Sequence, residues 1–279
     1  MESFVHDPDF QAPEVEELQP LFPGFVIEGF LARGGMGAVY LARQKSLDRP
    51  VAIKILPREF GADPQFRANF ESEAKTMARL NHPNLIGVYD FGEADGYLFI
   101  VLELVDGQTL FDAARGQVVD PLETARLGAE ICRGLAHAHR NGILHRDIKP
   151  ANVLLAPGPQ PKIVDFGLAR PVGQGHGEDE VIYGTPDYSA PEVVQTPAAV
   201  DQRADIFSVG VLLYELLTGE LPGSSWRRPS AVVSCDPAFD DIIRRAAHPS
   251  AGMRYPSADE MADELEALAA KLELSLIHI

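Results

Sequence analysis

Cysteine is nearly missing from this chain: Cys132 and Cys235 are the only two in 279 residues. They lie far apart, outside any Cys-x-x-Cys or Cys/His spacing, which excludes a disulfide framework and a zinc site and leaves both as reduced core thiols. Long apolar runs are missing as well. No stretch of about eighteen residues is apolar enough to cross a bilayer, and the acidic, proline-bearing start lacks the pattern of a signal peptide, so a cytoplasmic protein is expected. Basic residues are scarce. With 24 Lys and Arg against 41 Asp and Glu the net charge is −17. That removes nonspecific nucleic-acid binding, which rests on neutralising phosphates with cations, and fits basic protein partners. What is present is the balance of a soluble globular protein, 46% hydrophobic and 23% charged, long enough for one large domain or two joined lobes.

Residues 1–23 mix Asp, Glu, Pro and Gln with scattered apolar positions and no sustained period, and read as an acidic, extended or flexible lead-in. From 25 to 56, short apolar and β-branched runs (Val26-Ile27, Ala38-Val39-Tyr40-Leu41, Val51-Ala52-Ile53) alternate with Gly-rich and Asp-Arg-Pro turns, the pattern of an antiparallel meander. A helix is expected over 67–80, stopped by Asn81-His82-Pro83, then strands over 85–91 and 97–104 around a turn at 92–96. Beyond that the period becomes helical. Residues 120–140, 201–218, 236–247 and 257–272 read as helices, with Ile206, Val209, Leu213, Leu216 and Leu217 on one stripe. Gly219 closes one helix and Ser257 with Glu260 makes a capping box for the last. The fold class is α+β, a small β-rich half followed by a larger helical half.

The chemistry concentrates in four places. Between two strand-like runs stands Ala32-Arg33-Gly34-Gly35-Met36-Gly37-Ala38-Val39, where Gly34, Gly35 and Gly37 let backbone N–H groups come close to a triphosphate. Ala32 replaces the first Gly of a G-x-G-x-x-G pattern, which stiffens the turn. Val51-Ala52-Ile53-Lys54 ends a strand on a lysine whose ammonium can meet the α- and β-phosphates, held by a carboxylate on the following helix. Glu73 is preferred for that carboxylate, with Glu71 competing on nearly equal helix phase. His145-Arg146-Asp147-Ile148-Lys149-Pro150-Ala151-Asn152 decides the case. Asp147 can accept the proton of a substrate hydroxyl, Lys149 can neutralise the γ-phosphate, and Asn152 can hold magnesium. A charged surface turn would not require His, Arg, Asp, Lys and Asn at those spacings. Last, Asp165-Phe166-Gly167 follows a short strand at 162–164, where Asp165 can bridge magnesium to the phosphates, and Ala190-Pro191-Glu192 follows at some distance.

These motifs, in this order, make the chain resemble the bacterial eukaryotic-like (Hanks-type) serine/threonine protein kinases over roughly residues 25–270. The resemblance implies a bilobal fold, N-lobe 24–105 and C-lobe 106–272, with ATP in the cleft and Mg2+ (or Mn2+) beside it. It implies transfer of the γ-phosphate to Ser or Thr hydroxyls of protein substrates. It further implies Leu102 as gatekeeper, a hinge from Glu103 to Val105 whose backbone binds adenine, and Val39, Ala52 and Leu154 as the walls around the adenine ring. Lys149, with Gly184-Thr185-Pro186-Asp187-Tyr188, implies Ser/Thr rather than Tyr acceptors. Asp205 is implied as the helix-capping residue that braces the catalytic loop, and Arg254 as the ion-pair partner of Glu192.

The chain departs from the family's pattern in places. Residues 168–183 contain no Ser or Thr, so the usual phosphorylation switch has no acceptor there. Glu178, Asp179 or Glu180 is then the candidate to supply a fixed negative charge in its place, the alternative being a merely solvated acidic loop. The stretch from Gly223 to Ser230 is short for kinases of this class, which usually carry an extra helix there. Residues 273–279 drift from the preceding polar pattern and read as a non-native or truncated tail. Ala32 and the missing acceptor motivate the alternative of a pseudokinase, a nucleotide-binding or scaffolding module. The physiological substrate, the upstream signal and the oligomeric state leave no trace in the sequence.

Overall fold

The computed structural model describes residues 10–34, 37–158, 160–166, 186–195, 199–223 and 226–277. Among these, 10–81 with 86–105 form one unit, and 82–85 with 106–166 and 186–277 form the other.

In the first unit a short helix, α1 (Val15–Leu18), precedes strands β1 (Phe25–Gly34), β2 (Gly37–Gln44) and β3 (Arg49–Ile55). Helices α2 (Arg58–Ala62) and α3 (Pro64–Met77) follow, then β4 (Val88–Ala94) and β5 (Tyr97–Glu103). The five strands form one antiparallel sheet in the order β1-β2-β3-β5-β4. The β4–β5 turn is tighter than the expected 92–96, because Asp95 (φ 49°) and Gly96 (φ 81°) take the left-handed conformation that closes a two-residue hairpin. Helix α3 begins three residues before its expected start. Asp63 caps it, accepting from Gln65 N at 2.8 Å, and Pro64 fills the first turn, where its missing N–H costs nothing.

The lead-in departs from the expectation of extended or flexible chain. Residues 10–22 pack onto the sheet: Leu18 and Phe22 are 0% and 2% exposed, in one core with Ile27, Tyr40, Ile53 and Ile55. Tyr40 Oη donates to Pro13 O at 2.7 Å, and burial, with the charge of Glu14, pushes that phenol up to about 12. Gln19 bridges the segment to β1, donating to Phe25 O and accepting from Ile27 N, each at 3.0 Å. The apolar residues 10, 12, 15, 18, 21 and 22 show no period because α1, a 3-10 turn and irregular chain succeed one another, and each side chain finds its own place. Phe22→Ala is expected to cost about 3–5 kcal/mol of stability, as deletion of a buried ring does. Glu16→Ala, at an exposed position, should stay within about 0.5 kcal/mol. Urea unfolding of the two variants checks this.

The second unit begins with β6 (Gln108–Thr109), α4 (Leu110–Ala114) and the long α5 (Pro121–Arg140). Strands β7 (Val153–Ala156) and β8 (Gln160–Ile163) complete a three-stranded sheet in the order β6-β7-β8. Helices α6 (Pro191–Gln195), α7 (Arg203–Thr218), α8 (Ala238–Ala246) and α9 (Ala258–Ile277) follow. Asp120 caps α5, accepting from Leu122 N and Glu123 N. The expected apolar stripe of α7 is buried, but so are Val211, Leu212 and Tyr214, so the helix is covered on nearly all sides and forms the centre of the unit. Gly219, at φ 74°, ends it as expected.

Between Gly219 and α8 the described residues hold one helical turn, Pro229–Ala231. Only half of the expected capping box is seen at α9, Glu260 N donating to Ser257 Oγ at 3.3 Å. The helix then continues past 272 to Ile277, and Glu273, placed in the tail by sequence, meets Arg126 of α5 at 2.5 Å. Cys132 is fully buried and Cys235 half-buried, and burial pushes both thiols up from their ordinary range, disfavouring the thiolate. Among the described residues no helix is long and apolar enough to cross a membrane.

Candidate active site

The loop from His145 to Asn152 joins α5 to β7, and its conformation is set by hydrogen bonds from beneath. Asp205, 1% exposed in the first turn of α7, accepts from His145 N at 2.9 Å and Arg146 N at 2.7 Å, and its Oδ2 lies 2.8 Å from His139 Nε2. It braces the loop as expected, but it does not cap α7, which starts two residues earlier. Arg146 takes a left-handed φ of 66° at this anchored point. His145 is buried and uses both ring nitrogens: Nδ1 accepts from Asp147 N at 3.2 Å, so Nε2 carries the proton and donates to Val164 O at 2.8 Å. One imidazole therefore ties the loop to the chain leading into Asp165.

Burial alone would raise the Asp205 carboxyl. The bond from His139, the neighbouring histidines and the backbone donor of His145 outweigh it and hold the group below the ordinary aspartate range. A depressed native pKa stabilises the fold above the unfolded-state value and loses that contribution as pH falls through the native one. Asp201 beside Arg203 and Asp236 beside Lys271 are shifted the same way. Stability is expected to fall as pH drops below about 4, with Asp205→Asn showing a shallower acid limb. Urea midpoints measured between pH 6 and 2.5 test it; an unchanged slope would remove Asp205 from the linkage.

Above this base the reactive side chains converge. Asp147 Oδ2 receives Lys149 Nζ at 3.1 Å and Asn152 Nδ2 at 3.1 Å, and Asn152 Nδ2 also donates to Asp147 O at 2.8 Å. The Asp147 and Lys149 side chains are 13% and 25% exposed, so the pair keeps access to solvent. Val153 pairs with Ile163 across β7 and β8, and Val164 N donates to Asn152 O at 3.0 Å, which sets Asn152 beside the segment that carries Asp165. Asp165 is exposed and left-handed (φ 59°), while Phe166 is buried in an edge-to-face contact with His145, ring centroids 4.7 Å apart. Leu154, next along β7, is half-buried.

Most of the residues expected from the sequence to position the nucleotide belong to the first unit. Gly34 pairs with Gly37 at the end of the β1–β2 hairpin, and Ala32 pairs with Val39; Gly35 lies outside the described residues. Gly37 has φ 134°, and a Cβ there would stand 2.1 Å from Ile55 O, so only glycine fits. Lys54 on β3 pairs with Val39 on one side and Ile100 on the other, and is half-buried. The two glutamates of α3 separate clearly: Glu71 is exposed and bonds Lys75 at 3.3 Å, whereas Glu73 is half-buried. Ala52 is 8% exposed and pairs with Leu102. Glu103 is tied to Gly87 twice, N donating to Gly87 O at 2.8 Å and Oε2 accepting from Gly87 N at 3.1 Å. That commits its N–H, within the stretch expected to bind adenine; Val105 is half-buried beyond it.

Arg254 and Glu192 form the expected pair in bidentate geometry, 2.6 and 2.8 Å, with Arg254 fully buried. Gly167, Thr185 and the acidic run Glu178 to Glu180 lie outside the described residues. Two positions that hydrogen-bond the elements around the loop carry no signal in the sequence. His139 sits on an ordinary helical pattern, and Asn84 stands in a polar breaker that resembles any loop, yet Asn84 is 4% exposed. Among the described residues no group of three or more His, Cys, Asp and Glu could hold a metal. Asn152 and Asp165 instead offer two oxygen ligands, the small set Mg2+ takes when phosphates and waters complete its octahedron.

A β-rich unit, a helical unit and this catalytic loop define a phosphotransferase class, and the chain belongs to the protein kinase domain family, which it matches over residues 25–272. Among its relatives is serine/threonine-protein kinase PknL of Mycobacterium tuberculosis, 37% identical over 268 residues, 90% of this chain and 67% of PknL. PknB of the same species is 40% identical over 253 residues, 87% of this chain and 39% of PknB. The solved kinase domain of Mycobacterium tuberculosis PknI superposes with a TM-score of 0.73 at 32% identity, covering 88% of this chain and 96% of that one.

Proposed function

We propose that the chain transfers the γ-phosphoryl group of ATP to Ser and Thr hydroxyls of protein substrates, in the cytoplasm. The observation that carries this is the Asp147 carboxylate, oriented by Lys149 and Asn152 through one oxygen while the loop beneath is fixed by Asp205. Asp147 takes the proton of the substrate hydroxyl as its oxygen attacks phosphorus. The Lys149 ammonium, on the same oxygen of Asp147, meets the charge of the transferring group. Lys54, steadied by Glu73, orients the α- and β-phosphates, and the backbone at Gly34 to Gly37 closes over them. Val39, Ala52, Leu102 and Leu154 flank the adenine. Mg2+ held by Asn152 and Asp165, when bound, supplies positive charge between the phosphate oxygens. An inactive nucleotide-binding module has no support among the relatives, which are serine/threonine-protein kinases, and the presence of Asp147, Lys149, Asn152 and Asp165 supports the active reading.

The test is transfer of labelled γ-phosphate from Mg-ATP to the protein itself and to a basic model protein, followed by phosphoamino-acid analysis. Phosphoserine or phosphothreonine is the expected product. Phosphotyrosine, or binding of ATP without any transfer, would overturn the assignment.

A further inference from the structure

We propose that Asn84 is a positioning residue for Asp165: it fixes β8, and through β8 the carboxylate placed at the metal. This rests on the kinase reading above. Strand β8 pairs with β7 along one edge. Its other edge is held by residues 84 and 85: Ile163 N donates to Asn84 O at 2.9 Å, Leu85 forms a parallel bridge with Ile163, and Asn84 Nδ2 donates to Pro161 O at 3.0 Å. The side-chain amide thus supplies a donor that a neighbouring strand's backbone would otherwise provide. The same nitrogen donates to Glu130 Oε2 on α5 at 2.9 Å. Burial raises the Glu130 carboxyl, and the bond from Asn84 partly offsets that.

The space for this arrangement is made by Gly134 on α5, where a Cβ would stand 3.2 Å from both Asn84 Cβ and Asn84 O. Beyond Ile163 the chain has little freedom, since Val164 N is spent on Asn152 O and Val164 O on His145 Nε2. Asp165 follows immediately. A fixed path therefore runs from Asn84 through Pro161, Ile163 and Val164 to Asp165, and an alanine at 84 leaves both Pro161 O and Glu130 without this donor.

The experiment compares Asn84→Ala, Asn84→Asp and a control, Leu268→Ala, in the full chain. Leu268 lies on α9, 4% exposed, and its truncation lowers stability without touching β8. Mn2+ affinity is measured by electron paramagnetic resonance with a nonhydrolysable ATP analogue, nucleotide affinity is measured without metal, and amide exchange is followed at Ile163 and Val164. Asn84→Ala is expected to weaken Mn2+ binding about tenfold, as loss of a group that orients a metal ligand does. Metal-free nucleotide affinity should stay within about twofold, and exchange at 163 and 164 should quicken. Should Asn84→Ala fail to fold, Asn84→Asp keeps the shape while losing the amide donor, and the same weakening is expected. Mn2+ affinity in the Asn84 variants equal to that of Leu268→Ala would reduce Asn84 to a merely structural part. If the unaltered protein binds neither nucleotide nor Mn2+, the kinase reading fails, and exchange at 163 and 164 still decides whether Asn84 holds β8.

Discussion

Asp147→Asn is expected to lower kcat for phosphoryl transfer by about 10³-fold, within the range that general-base removal costs, with nucleotide affinity changed by less than about twofold. Asparagine has nearly the same shape, and its amide oxygen can still accept from Lys149 and Asn152, which meet one oxygen of Asp147 in the native loop. The backbone bonds from Asp147 N to His145 and from Asn152 Nδ2 to Asp147 O do not involve the changed group. What disappears is the capacity to take a proton. Steady-state transfer assays with a nucleotide titration and circular dichroism separate these effects. A kcat within tenfold of the unaltered protein would mean that Asp147 orients the acceptor rather than deprotonating it.

Arg254→Ala is expected to cost about 3–5 kcal/mol, because it leaves a partly buried carboxylate without its counter-charge. The guanidinium is fully buried and its donors are all engaged: Glu192 twice, His248 O at 2.7 Å, Arg203 O at 2.9 Å and Pro249 O at 3.2 Å. One side chain thus gathers α6, the start of α7 and the 248–249 turn. For a chain of this size the melting temperature should drop by roughly 10 °C. Arg254→Lys keeps the charge but not the planar fork, and should recover less than half of the loss. A cost under about 1 kcal/mol for Arg254→Ala would place the pair with exposed ones such as Arg244–Asp241.

The loop from His145 to Asn152 was legible because phosphoryl transfer demands particular residue types at set spacings. The long helices were legible for a different reason: α5, α8 and α9 each keep a wet face, so their period survives in the sequence. Helix α7 was recognised with its surroundings misjudged, since a helix covered on all sides still shows an apolar stripe. Glu71 and Glu73 share nearly the same helix phase, and differ in burial and in the Glu71–Lys75 bond, neither of which shows in the sequence. The packing of 10–22 leaves no pattern in the sequence because its contacts are tertiary: Leu18 meets the sheet from the one-turn α1, and Pro13 and Phe22 meet it from outside that helix. The short α4 and α6, one turn or little more, carry too few residues to show a period.

The grip of Asp205 on two successive backbone N–H groups also governs how the loop opens. Surface loops ordinarily exchange their amide hydrogens through small local fluctuations. The amides of His145 and Arg146 instead point into a carboxylate on the most deeply covered helix of the unit. Their exchange requires breaking bonds to a buried carboxylate, so slow exchange is expected at both, and the stretch that carries Asp147 should behave, in the hierarchy of unfolding, as part of the interior.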